Sequence, residues 1–148
     1  MKKIIVLFVS GLFAMNLLAQ ADGIGVGIIL GEPTGLSGKL WLTEKTAIDG
    51  AVAWSMWDQG ALHVHADFLV HSFNLINVSQ GQLPLYFGIG ARVKLANDPL
   101  IGVRVPVGLA YLFGSAPLDI FFEVVPILDL IPSTDFHLNS AIGVRYFF

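Results

Sequence analysis

The sequence contains no cysteine among its 148 residues. This absence excludes disulfide bonds, thiolate metal sites and cysteine nucleophiles. Charged residues are also scarce: they make up 13% of the chain, against roughly 25% in an ordinary soluble domain. Hydrophobic residues make up 55%. The composition is therefore too apolar for a typical cytosolic protein.

Basic residues are few, and two of the eight lie at the amino terminus. Lys2 and Lys3 precede the apolar stretch IIVLFVSGLFAMNLLA and the small-residue site Ala19-Gln20-Ala21. This pattern is typical of a secretory signal peptide. We expect residues 1–21 to be cleaved and residues 22–148 to form a single domain.

Cleavage at that site would remove two of the eight basic residues and none of the eleven acidic ones, leaving a net charge of −5. A nucleic-acid-binding footprint should be basic, so nucleic acid is not an expected partner. The alternative of an uncleaved membrane anchor is weakened by Gly11 and Asn16, which interrupt the apolar run.

No later segment has the length of a membrane-spanning helix. The charge-free stretch Val105–Leu118 has 14 residues and contains two prolines and two glycines, whereas a spanning helix needs about 20 apolar residues. Instead, apolar residues alternate with period two between turn signals, which predicts strands. Eight strands are predicted, near Gly23–Gly31, Gly35–Thr43, Thr46–Met56, Leu62–Ser72, Leu83–Leu95, Leu100–Phe113, Leu118–Leu130 and His137–Phe148.

The two faces of these strands differ sharply in polarity. One face holds 43 positions without a charged residue. The other face carries five basic and five acidic residues, which sum to zero: Lys39, Asp49, Asp67, Arg92, Lys94, Arg104, Asp119, Glu123, Asp129 and Arg145. Seven glycines share this charged face: Gly25, Gly27, Gly88, Gly90, Gly102, Gly108 and Gly143.

The glycines and the balanced charges favour an interior position for the polar face. Eight strands leave barely enough room inside a barrel for side chains, so small residues beside charged ones suit a packed lumen. Buried charges must also be paired. The sequence therefore predicts an all-β, eight-stranded antiparallel up-and-down transmembrane β-barrel in the bacterial outer membrane, contacting lipid and monomeric. A soluble periplasmic ligand-binding barrel, with the apolar face inside, is the alternative architecture.

Three prolines lie inside predicted strands. Pro84, Pro106 and Pro126 each lack the backbone donor that a closed sheet requires. We expect β-bulges at these positions, and the alternative is that the strand boundaries differ from the predicted ones there.

The last strand ends in alternating apolar residues, Ile142, Val144, Tyr146 and Phe148. Aromatic residues at a strand end suit the interfacial girdle of a membrane barrel. The ending also resembles the C-terminal signal of bacterial outer-membrane proteins. That resemblance implies that the barrel-assembly machinery is a partner during insertion.

Several longer segments carry a family resemblance, namely GIILGEPTGLSGKLWL, AIDGAVAW, VVPILDLIPSTDFHLN and AIGVRYFF. The chain resembles the small outer-membrane β-barrel proteins of unknown function found in spirochaetes, which are regarded as similar to the eight-stranded OmpA/OmpX type. The resemblance covers essentially the whole mature chain. It implies a surface protein without an established activity.

The segment LHVHADFLVH holds the strongest candidate for chemistry. His63 and His65 lie about 6–7 Å apart on the polar face, close enough to share a metal ion. We favour polar lumen filling over metal binding, and we expect no cofactor.

No catalytic site is predicted, because Ser72 and His71 lie on opposite faces and Ser55 has no assigned partner. A structural or surface-interaction role is the predicted function, and a small channel is its alternative.

Overall fold

The computed structural model describes residues 23–32, 34–55 and 61–148. The predicted signal peptide and its cleavage site lie outside the described residues. The described part of the chain is all-β and contains nine antiparallel strands. The strands are β1 (Ile24–Gly31), β2 (Gly35–Trp41), β3 (Thr46–Ser55), β4 (Ala61–Ser72), β5 (Leu85–Leu95), β6 (Leu100–Arg104), β7 (Val107–Leu112), β8 (Leu118–Ile131) and β9 (Asp135–Phe147).

The nine strands form a closed ring. Strands β1 to β5 pair in chain order, β8 pairs with β9, and β9 pairs with β1. Strands β6 and β7 lie end to end, and each pairs with both β5 and β8. The ring therefore has eight positions around its circumference. No helix in residues 23–32, 34–55 and 61–148 is long and apolar enough to cross a membrane.

The prediction of a single strand over Leu100–Phe113 is wrong, because that segment is divided at Pro106. The Pro106 carbonyl accepts a hydrogen bond from the Gly88 amide at 3.0 Å. Proline has no N–H to donate a hydrogen bond to the neighbouring strand, so the regular pairing of this segment is interrupted. The division raises the number of strands from eight to nine.

The expected bulge at Pro106 is also absent. Arg104 pairs with Gly90 and Val107 pairs with Phe87, so the register against β5 is unchanged across the proline. The register shift in this region lies instead between Ile101 and Gly102.

The other two prolines likewise keep the register. Pro126 lies inside β8 and pairs with Leu138 in an unshifted ladder. Its carbonyl accepts a hydrogen bond from the Val105 amide at 3.0 Å. Pro84 lies just before β5, which begins two residues later than predicted, and its carbonyl accepts from Ala110 at 3.1 Å. Each proline therefore serves as an acceptor only, without a bulge.

Buried and exposed residues alternate along the strands. The exposed residues are mostly apolar, whereas many of the buried ones are charged, which is the reverse of the usual pattern in a soluble protein. In β8, Asp119 and Glu123 are at most 1% exposed, whereas Phe122 is 51% exposed. Exposed apolar residues occur on strands around the whole ring, and examples are Val26, Ile28, Ile48, Trp54, Phe68, Ile89, Val103, Val107, Phe122 and Ile142. The ring encloses the charged residues together with a small apolar core of Ile29, Ala51, Leu69, Tyr86, Ala110, Phe121 and Ala141.

Candidate functional site

The interior of the ring holds a network of buried charges. Of the ten charged residues predicted on the polar face, eight are buried: Lys39, Asp49, Asp67, Arg104, Asp119, Glu123, Asp129 and Arg145. Arg92 and Lys94 are half-buried near the end of β5. The period-two pattern places all of them inside because successive side chains of a strand point to opposite faces.

Arg145 forms the most completely buried pair of the network. Its Nε and Nη2 each donate to one oxygen of Asp119, both at 3.1 Å. Asp119 and Arg145 are direct cross-strand partners on β8 and β9. The guanidinium also lies 4.0 Å from the centre of the Phe121 ring, and its Nη1 lies 3.6 Å from Asp49 Oδ2. Arg145 in β9 thus links two carboxylates and an aromatic ring from two other strands, β3 and β8.

Arg104 connects a second pair of carboxylates. Its Nε lies 2.8 Å from Asp67 Oδ1, and its Nη2 lies 3.6 Å from Glu123 Oε1. The other oxygen of Glu123 accepts a hydrogen bond of 3.0 Å from the Tyr86 hydroxyl. Tyr86 was not among the predicted site residues. Its even number in β5, shared with Arg92 and Lys94, is the sequence signal that places it on the polar face.

Arg92 and Asp129 form a third pair toward one end of the ring. The guanidinium donates two hydrogen bonds to the carboxylate, at 3.0 and 2.6 Å. His137 Nε2 lies 3.1 Å from the same carboxylate, and this imidazole is 42% exposed. His137 was not among the predicted site residues. Its position, eight residues before Arg145 in an alternating strand, puts it on the polar face.

Lys39 lies beside an imidazole at the other end of the ring. Its Nζ is 2.8 Å from His71 Nε2 and 4.2 Å from the centre of the Trp41 ring. His71 Nδ1 lies 3.1 Å from the Lys45 carbonyl oxygen, which can only accept a hydrogen bond. Nδ1 therefore donates in this arrangement, and Nε2 accepts from Lys39 Nζ.

Glycines make room for these side chains across the strands. Gly90 and Gly102 are the cross-strand partners of Asp67 and Asp129. A Cβ atom at either glycine would collide with the facing carboxylate. The aspartate side chains therefore lie directly over the backbone of their glycine partners.

The two histidines that were weighed as metal ligands differ in their surroundings. His65 is buried, and its Nε2 lies 3.7 Å from Asp67 Oδ2. His63 is half-buried, two residues away along β4. The structure groups His65 with Asp49 and Asp67: one donor atom from each lies within 4.8 Å of the others. A metal ion shared by His63 and His65, the less favoured reading of the sequence, stays untested.

The four residues of the predicted assembly signal point outward. Ile142, Val144, Tyr146 and Phe148 are all exposed. The rings of Tyr146 and Phe148 meet edge to face, with 5.1 Å between their centres. The last strand thus presents apolar and aromatic side chains to its surroundings.

Comparisons with protein-family models, with curated proteins and with solved structures found no match.

Proposed function

We propose that this chain is an integral outer-membrane β-barrel protein. Its outward apolar side chains contact lipid, and its buried charges hold the barrel together without catalysis. The observation that carries the proposal is the inverted burial of the strands. In β8, the buried set contains Asp119, Glu123 and Asp129, while Ile120, Phe122 and Leu130 are between 41% and 51% exposed. A lipid-facing outer surface with a polar interior is the arrangement of a membrane barrel.

The distribution of the exposed residues favours lipid over a single protein partner. Monomeric soluble proteins rarely expose contiguous apolar patches above a few hundred Å². Here large apolar side chains are exposed on opposite parts of the ring, as at Val52 in β3 and Phe122 in β8. One docking partner would cover one side of the ring, whereas a bilayer surrounds it.

The closure of the ring supports the same proposal. Strand β1 pairs with β9 over seven residue pairs, from Gly25 with Phe147 to Gly31 with Ala141. A closed sheet has no open edge, and unpaired backbone groups in hydrocarbon cost several kcal/mol each. The alternative of a soluble ligand-binding barrel requires the apolar side chains to line the interior, which is the reverse of the observed burial.

The packed interior favours a structural or surface-interaction role over conduction. An eight-position ring has an interior just wide enough for side chains to fill. Arg104, Arg145 and Tyr86 are among its largest fully buried side chains. Planar-bilayer recording tests the channel alternative: we expect no stable conductance steps above those of an unrelated eight-stranded barrel. Reproducible larger steps would favour the channel.

The decisive experiment is fractionation followed by gel electrophoresis in detergent with and without boiling. We expect the protein in the outer-membrane fraction, with a band that shifts on boiling because the folded barrel resists the detergent. Recovery in the periplasmic fraction without a heat-dependent shift would contradict the proposal.

A further inference from the structure

Two acidic residues face each other inside the ring. Asp49 in β3 and Asp67 in β4 are direct cross-strand partners, and both are at most 5% exposed. Like charges directly opposite each other destabilise a sheet unless something balances them. His65 lies on the same face, two residues before Asp67. The register thus brings two carboxylates and one imidazole to one point.

Each carboxylate uses one oxygen on an arginine. Asp67 Oδ1 lies 2.8 Å from Arg104 Nε, and Asp49 Oδ2 lies 3.6 Å from Arg145 Nη1. The second oxygens have different surroundings. Asp67 Oδ2 faces His65 Nε2 at 3.7 Å, and Asp49 Oδ1 is buried without a hydrogen-bond partner among the described residues. A buried acceptor left without a partner is costly, so Asp49 would be stabilised either by a bound cation or by a proton held between its carboxylate and that of Asp67.

We propose that Asp49, His65 and Asp67 bind a divalent transition-metal ion, with zinc as the reference ion. Two carboxylate oxygens and one imidazole nitrogen are ligands that zinc accepts, at about 2.0–2.2 Å. Magnesium and calcium prefer oxygen ligands only. The three donor atoms lie within 4.8 Å of one another, and side-chain rotations would draw them closer to share one ion.

Carboxylates outnumber the basic groups around this point by one. Two guanidiniums, Arg104 and Arg145, contact the four carboxylates Asp49, Asp67, Asp119 and Glu123. Lys39, the buried cross-strand partner of Asp49, is a third positive group, so a bound cation has one unbalanced carboxylate to offset. Arg104 and Arg145 then hold the outer oxygens of the ligating carboxylates, as groups around metal ligands commonly do.

This site differs from the one that the sequence suggested. The His63–His65 pair would use two imidazoles of one strand, whereas the proposed site uses one imidazole and two carboxylates from two strands. The proposal is also independent of the lipid environment, because it depends only on the β3–β4 register and the two arginines.

Binding of Co²⁺ and Zn²⁺ to the purified, detergent-solubilised protein tests the site. Co²⁺ gives visible absorption bands when protein ligands replace its water, and Zn²⁺ should displace it and abolish them. We expect one equivalent of Co²⁺ per chain in the wild type. Absence of these bands at one equivalent, together with absence of Zn²⁺ binding by calorimetry, would overturn the proposal.

Three variants assign the ligands. His65→Gln and Asp49→Asn should each weaken Zn²⁺ binding by at least about tenfold, since even the outer contacts of metal ligands commonly matter by that factor. His63→Gln is the matched control and should bind as the wild type does. A loss in His63→Gln equal to that in His65→Gln would overturn the assignment. The heat-dependent gel shift checks folding, and should Asp49→Asn fail to fold, the two histidine variants decide.

Discussion

Arg104 Nε lies 2.8 Å from Asp67 Oδ1, and the two side chains are at most 2% exposed. This pair lies at the centre of a network in which Arg104 also reaches Glu123. Replacing Arg104 by Ala would leave both carboxylates buried without their guanidinium. Because breaking a buried pair by removing one partner is strongly destabilising, we expect Arg104→Ala to lower the free energy of unfolding by about 3–5 kcal/mol. Urea titration of the protein in detergent or lipid measures this loss.

Arg92 provides the control for that prediction. It makes a bidentate pair with Asp129, but its side chain is 18% exposed. Water can therefore solvate Asp129 after Arg92→Ala, so we expect a smaller loss than for Arg104→Ala. Equal losses in the two variants, or an unchanged unfolding curve for Arg104→Ala, would contradict the importance of the buried pair.

Arg145→Lys tests whether charge alone is sufficient in the interior. The guanidinium makes two hydrogen bonds to Asp119 and stacks on Phe121. A lysine ammonium keeps the charge but cannot reproduce the planar fork. We expect a loss of about 1.5–3 kcal/mol, the range for a lost hydrogen bond to a charged group, measured in the same unfolding assay. A variant as stable as the wild type would mean that the hydrogen-bond geometry contributes nothing.

Apart from the division at Pro106, the alternation of polarity was sufficient to predict where the strands lie and on which face their side chains lie. The predicted strand from Gly35 lost only its last two residues, and the one from Leu118 gained one. The division of the strand at Pro106 was not predicted, because the sequence does not reveal which missing N–H interrupts the pairing. The bulges expected at the prolines were wrong, since each proline keeps its acceptor bond in an unshifted register.

The partners within the charged face could not be predicted in the same way. The alternation of side chains along each strand is sufficient to put Asp49, Asp67 and Asp119 on one face. The pairing of Asp119 with Arg145, however, depends on the β8–β9 register. The links from Arg145 to Asp49 and from Arg104 to Glu123 depend on side-chain length and on the curvature of the ring. His137 and Tyr86 were missed because only Asp, Glu, Lys and Arg were counted as charged residues, although their place in the alternation put them on the same face.

Gly108→Ala tests how closely the interior is packed. Gly108 is the cross-strand partner of Tyr86, and a Cβ atom there would collide with the tyrosine ring and with the Phe122 carbonyl oxygen. Because overpacking typically costs 1–3 kcal/mol, we expect a loss of about that size in the free energy of unfolding. Gly38→Ala is the control, since the nearest atom to its Cβ would be the Gly25 carbonyl oxygen at 3.8 Å. Destabilisation of Gly38→Ala to the same extent would mean that glycine flexibility, and not space, decides the result.

Phe122→Arg tests the lipid-facing surface directly. Phe122 is 51% exposed near the middle of β8, and Leu75 is 64% exposed in the connection between β4 and β5. An arginine at the bilayer midplane costs about 2–4 kcal/mol, and one near the interface costs about 0–1 kcal/mol. We therefore expect Phe122→Arg to reduce stability in lipid vesicles by the larger amount, and Leu75→Arg, the matched control, to behave almost as the wild type does. If the ring instead exposes Phe122 to water, the arginine replaces an exposed apolar side chain by a solvated one, and Phe122→Arg should be as stable as Leu75→Arg.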